Sequence, residues 1–132
     1  MTEKLKSTQL AAYRKKAAEA QGNRCDLCGK PFTAKPPYDP VLDHCHRTGA
    51  VRGVIHRGCN SLYGKLENGA PRFGVHDLPS FTNGCAQYQR KHMTNITGLT
   101  HPLHKTAEEK KIATAAKRKK AAAKKRAQTA LL

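Results

Sequence analysis

Two residue pairs with the same internal spacing constrain this chain more than any other feature: Cys25-Asp26-Leu27-Cys28 and His56-Arg57-Gly58-Cys59. Each pair sets two soft or borderline ligands across a tight turn, and two such pairs together suit one tetrahedral ion. The predicted site is a structural Zn²⁺ held by Cys25, Cys28, His56 and Cys59. The same residues left unpaired would simply be free thiols and a histidine, and it is the matched spacing that argues for the ion. The chain has need of such a staple. It has 132 residues, only 38% of them hydrophobic and 5% aromatic, with no Trp. So sparse a core leaves a small domain marginal unless a metal, a disulfide or a second subunit helps to hold it.

The start of the chain, Met1-Thr2-Glu3-Lys4-Leu5-Lys6, lacks the hydrophobic stretch of a secretory signal. No apolar run approaches the ~18–20 residues of a membrane span. The expectation is therefore a cytoplasmic protein with no membrane partner, whose five cysteines are reduced and free to bind metal. Lys and Arg number 25 against 9 Asp and Glu, a formal net charge of +16. That excess excludes an ordinary acidic cytosolic enzyme. It predicts a polyanionic partner, because clustered cations gain free energy by releasing counterions from phosphates.

The fold class expected is α+β, in four segments. Residues 1–22 read as a basic helix, capped by Ser7 or Thr8 and packed through Leu10 and Tyr13 or else simply solvated. Residues 23–70 hold the cysteine knuckle, a Pro-rich loop and two short strands, Pro40 to His46 and Ala50 to Ile55. Arg47-Thr48-Gly49 joins the strands as a hairpin, and a helix follows from Ser61 to Glu67. Residues 71–104 form an extension with a helix over about 84–92, in which Cys85 is expected to be buried. His101 and His104 read as solvent-facing loop residues. Residues 105–132 are an Ala/Lys/Arg tract opened by a capping box at Thr106-Ala107-Glu108-Glu109. With almost nothing apolar to bury, this tail is expected to be disordered or loosely helical until it meets nucleic acid.

Between the two ligand pairs lies Asp43-His44-Cys45-His46, and Asn60 follows the last ligand directly. Strand alternation sets His44 and His46 on one face, with Asp43 and Cys45 on the other. A carboxylate and an amide oxygen are hard ligands suited to Mg²⁺, while an imidazole can take a proton from water near neutral pH. Together they suit metal-assisted phosphodiester hydrolysis. Taken alone, the run is also compatible with a second metal cluster or a surface histidine patch. Arg47, Arg52 and Arg57 interleave with these residues as candidate phosphate contacts. Lys65 and the tail cations Lys117, Arg118, Lys119, Lys120, Lys124, Lys125 and Arg126 extend the same basic surface.

The stretch from Leu42 to Ile55, followed by His56-Arg57-Gly58-Cys59-Asn60, resembles the recombination endonuclease VII family of HNH, or His-Me finger, nucleases common in bacteriophages. The resemblance covers roughly residues 23–68. It implies a ββα-metal core stapled by zinc, with Cys25, Cys28 and Cys59 as ligands and His56 where a fourth Cys is usual. It further implies that Asp43 and Asn60 hold a catalytic Mg²⁺ or Mn²⁺, that His44 is the general base, and that His46 contacts the phosphate. Cys45 stands at a position that is often acidic. An acidic residue found early in the helix of some members is unmatched: Tyr63 falls near that place, and Glu67 lies about a turn beyond.

The implied activity is metal-dependent DNA cleavage leaving a 5′-phosphate and a 3′-hydroxyl, with resolution of branched DNA as its use. A homodimer would serve two symmetric cuts, and no small-molecule cofactor is called for. Two alternatives stand beside it: a nicking or homing-type endonuclease acting on duplex DNA, and a zinc-stapled binding protein without catalysis. A virion protein that coats DNA has only composition behind it. A binding protein has no use for Asp43-His44 and Asn60 in a basic groove, where a carboxylate repels phosphate unless a cation intervenes.

Overall fold

The computed structural model describes residues 2–132. Its elements run α1 (Leu10–Ala20), β1 (Pro40–His44), β2 (Val51–His56), α2 (Arg57–Gly69), α3 (Leu78–Lys91) and α4 (Ala107–Ala130), with 3-10 turns at Ser7–Gln9 and Ala70–Phe73. β1 and β2 pair antiparallel as a two-stranded sheet, and α2 begins where β2 ends. The chain divides into two units, residues 1–86 and 87–132.

The hairpin of the first unit is irregular in a way that matters. Leu42 faces Val54 and His44 faces Val51, so β2 carries one residue more than β1 opposite Asp43. Such a bulge re-aims side chains locally, and here the displaced residues are Arg52 and Gly53. A Cβ on Gly53 would lie 2.5 Å from Asp26 Oδ2, so the strand passes the knuckle loop at a distance only glycine allows.

Little apolar surface is buried. Ala18, Cys25, Val54 and Ile55 are the buried hydrophobic residues, and of these Val54 is fully enclosed. α1 reaches both strands, though by a different route from the one its sequence suggests. Leu10 and Tyr13 remain exposed, and Ala18 is the helix residue that becomes buried. The docking is polar. Gln21, just beyond α1, accepts from the Val54 backbone N–H through Oε1 at 2.9 Å and donates through Nε2 to the Val54 carbonyl at 2.8 Å. Its amide thus completes the outer edge of β2 as a neighbouring strand would. The helix start also differs: Ser7 and Thr8 sit inside a 3-10 turn, and neither caps α1.

α2 starts at Arg57, four residues earlier than its periodicity suggests, so Cys59 and Asn60 lie in its first turn. Loop carbonyls accept the N–H groups that a helix start leaves unpaired. Arg57 N–H donates to the Asp39 carbonyl and Gly58 N–H to that of Pro37, each at 2.9 Å. α3 likewise starts early, at Leu78, because Asp77 caps it: the Ser80 N–H donates to Asp77 Oδ1 at 3.1 Å. Pro79 is tolerated there because the first turn has no N–H bond to lose. Cys85, expected to be buried, is exposed.

In the second unit the tail is a continuous helix of 24 residues. Thr106 accepts from the Glu109 N–H while Glu109 accepts from that of Thr106, the capping box the sequence announces. Ala, Lys, Arg and Gln are strong helix formers, and no Gly or Pro interrupts them. Propensity and capping therefore form an element that the lack of an apolar face argued against.

Gln21→Ala should lower unfolding free energy by ~1–3 kcal/mol, the cost of leaving the buried Val54 N–H without its acceptor. Urea denaturation of the two proteins checks this; an unchanged midpoint would mean the amide clamp is not what docks α1.

Candidate functional site

The four residues of the spaced pairs converge. One ligand atom from each of Cys25, Cys28, His56 and Cys59 lies within 4.8 Å of all the others. Thiolates on a tetrahedral zinc with bonds near 2.3 Å sit about 3.8 Å apart, so the cluster is already close to ligand spacing. The knuckle supplies two ligands, the end of β2 the third and the first turn of α2 the fourth.

The tautomer of His56 follows from its surroundings. Its Nε2 lies 2.9 Å from the Pro31 carbonyl, which only accepts, so Nε2 carries the proton. The bare Nδ1 then faces Cys28 Sγ at 3.2 Å and Cys59 Sγ at 3.8 Å. A ligating histidine is commonly fixed by such an outer hydrogen bond. The rings of Phe32 and Tyr38 stand edge-on to it, with centroids at 5.2 and 5.8 Å. Burial alone would push the Cys25 thiol up, yet N–H groups of Cys28, His56 and Leu27 bring it down to about 7. Cys59, partly buried and beside Cys28 and Cys25, is pushed up to about 12. Several thiolates cannot share so small a space unless a cation joins them, and the residues present could hold a structural metal such as zinc.

Asp43 is buried on the inner side of the hairpin, while His44 and His46 are exposed with ring centroids 5.0 Å apart. Arg52 grips Asp43 with two bonds, Nε to Oδ2 at 2.6 Å and Nη2 to Oδ1 at 3.1 Å. It also grips Glu67 of α2 with two, Nη1 to Oε2 at 3.0 Å and Nη2 to Oε1 at 2.9 Å. The Tyr63 ring covers the same guanidinium at 5.1 Å. Bonds to Glu67 and then Asp43 raise the Arg52 pKa further, and Arg52 in turn holds the Glu67 carboxyl below its ordinary value of 4.5.

Asn60 points elsewhere. Its side chain makes no hydrogen bond among the described residues, and with His46 it lines an open cleft of about 470 Å³ along α2 that also includes Lys65 and Arg72. Asp43 is not among the residues that line this cleft. Of the other arginines expected beside phosphates, Arg57 pairs with Asp39 at 2.8 Å and Arg47 is exposed. Sequence reading missed the linkage through Arg52, although Cys59, Tyr63 and Glu67 recur every four residues and so share one helix face. Arg72 carried no signal of its own.

A hairpin and helix closed around a candidate structural-metal centre define the class, a small α+β protein. Residues 2–91, about two thirds of the chain, match recombination endonuclease VII, and the chain belongs to that family. Membership implies a nuclease acting on branched DNA. No individual curated protein matches the chain significantly. Among the described residues, no helix is long and apolar enough to cross a membrane.

Two outcomes follow from the geometry. His56→Ala should lose zinc and most of the cooperative thermal transition, whereas His56→Cys should keep zinc by completing a four-thiolate set; metal content and Tm of both variants check this. The Glu67–Arg52 pairing stabilises the fold above about pH 4.5 and is lost as pH falls through the depressed Glu67 pKa. Glu67→Gln should therefore be less stable than wild type at neutral pH, and the gap should narrow on acidification to pH 3, as read by denaturation at each pH.

Proposed function

We propose that the chain is a metal-dependent DNA endonuclease of the HNH, or His-Me finger, type, acting on branched DNA, with residues 23–70 as its catalytic core. One observation carries the reading. β1 exposes His44 and His46 side by side at 5.0 Å, next to the buried carboxylate of Asp43, and His46 shares an open cleft with Asn60.

His44 is the general base. Its exposed imidazole takes a proton from a water molecule, whose oxygen attacks phosphorus as the bond to the 3′ oxygen breaks. The products are a 5′-phosphate and a 3′-hydroxyl. His46 contacts the phosphate from the cleft side. Asp43 and Asn60 would hold a catalytic Mg²⁺ or Mn²⁺. Their donors are hard oxygens, and a carboxylate oxygen has two lone pairs, so Arg52 leaves acceptor sites on Asp43 free. Such a cation, when bound, stabilises the charge that develops on the scissile phosphate and the leaving oxygen. Arg52 acts through Asp43 by fixing the orientation of its carboxylate. Arg47 and Lys65 supply phosphate contacts in the first unit, and the α4 cations Lys117, Arg118, Lys119, Lys120, Lys124, Lys125 and Arg126 supply others in the second.

The test uses protein that retains zinc, a labelled four-way junction and a linear duplex of matching sequence, with and without Mg²⁺ or Mn²⁺. Cutting should require the added cation and favour the junction, and His44→Ala should reduce it ~10²–10⁴-fold while DNA binding persists. Equal cutting of the duplex would favour a nicking or homing-type enzyme. Binding without cutting under every metal would leave the zinc-stapled binding protein.

A further inference from the structure

α2 divides its residues between two faces. Cys59, Tyr63 and Glu67 turn toward the metal cluster and Arg52. The adjacent face carries Asn60, Gly64, Lys65, Gly69 and, one turn past the helix, Arg72, and these line the cleft that His46 enters. Two features of that face have no explanation inside the protein.

The first is Gly64. Glycine weakens a helix interior relative to alanine, and it is normally kept for a positive φ or a close approach. Neither applies to Gly64, which lies inside α2: its φ is not positive, and a Cβ built on it would meet nothing within 4 Å. Gly69, the last residue of the helix, is where a helix ordinarily ends on glycine. The lack of a side chain at both positions keeps the cleft floor low. The second is charge. No acidic residue lines the cleft, and among the described residues neither Lys65 nor Arg72 has a carboxylate partner, although Arg52 and Arg57 both do.

A low glycine floor between two unpaired cations fits a phosphodiester backbone that lies against the helix. We propose that the glycine-floored face of α2 seats the DNA strand, with Lys65 and Arg72 bonding the phosphates that flank the one presented to His46. The proposal deepens the nuclease reading and rests on it for the identity of the presented phosphate. It adds Arg72, Gly64 and Gly69 to the substrate-binding residues.

Gly64 makes the sharpest test, because stability and binding move in opposite directions. Gly64→Ala and Gly64→Leu should each raise Tm or leave it unchanged, while Gly64→Leu weakens binding to a labelled four-way junction at least tenfold. Without added divalent cation, Lys65→Gln and Arg72→Gln should each reduce the slope of log K against log salt by ~0.9, and Arg72→Lys should restore it. Lys35→Gln, on the Pro-rich loop, should leave the slope unchanged. Full affinity in Gly64→Leu together with unaltered slopes in both cation variants would overturn the proposal. Cleavage by the same wild-type and His44→Ala preparations separates the two ideas. Normal slopes with His44-dependent cutting reject the cleft alone, whereas reduced slopes without any cutting keep the cleft as a DNA seat and reject the nuclease reading.

Discussion

The convergence of Cys25, Cys28, His56 and Cys59 is the constraint on which the first unit depends. Among its described residues four hydrophobic ones are buried, and one of them, Cys25, is itself a candidate ligand. Full burial of a side chain such as Val54 stabilises by ~1.5–3 kcal/mol, far too little to offset the entropy of ordering a chain of this length. A structural zinc contributes on the order of ten kcal/mol on folding. It would do so where the knuckle, β2 and α2 meet, so it fixes the hairpin and the helix relative to one another. The Pro31 carbonyl extends that control outward: by taking the Nε2 proton of His56, it decides which ring nitrogen faces the thiols.

From this joint α2 emerges with its orientation set, because Cys59 in its first turn is tied to the cluster. Every fourth residue after it returns to the hairpin, bringing Tyr63 and Glu67 onto Arg52. The neighbouring face is then committed to the cleft. The residues that face the cluster and hairpin and those that line the cleft thus lie on different sides of α2. This is why Glu67 and Lys65, only two residues apart, have opposite surroundings.

How much of this could be read from the chain depended on how local the signal was. The ligand set was legible because its cause is a spacing, and the capping box at Thr106 because its two partners lie three residues apart. The hairpin and its polar turn were legible for the same reason. What escaped reading depended on contacts distant in sequence. Nothing near Gln21 announces that its amide will close the edge of a strand 33 residues away. The early start of α2 depends on carbonyls of Pro37 and Asp39. The bulge that brings Arg52 to Asp43 is a mismatch between strands, visible only once they are paired. The α4 tract, read as disordered or loosely helical, forms a helix whose cause is intrinsic propensity and capping rather than burial.

The Asp43–Arg52–Glu67 chain bears on the position where the resemblance fails. Tyr63 falls near the place where the resemblance implies an acid in some members, and its ring lies on Arg52. The acid one turn further, Glu67, reaches the same guanidinium and through it the oxygens of Asp43. Two carboxylates and one guanidinium leave the group with one net negative charge. A divalent cation is drawn to such a group, and a phosphate that approaches without one is repelled. Arg52 offsets the repulsion between the two acids, which would otherwise oppose the packing of α2 against the hairpin. Its two bonds also fix the orientation of the Asp43 carboxylate. Glu67 thus brings a second carboxylate to the neighbourhood of Asp43, through an arginine that also joins strand to helix.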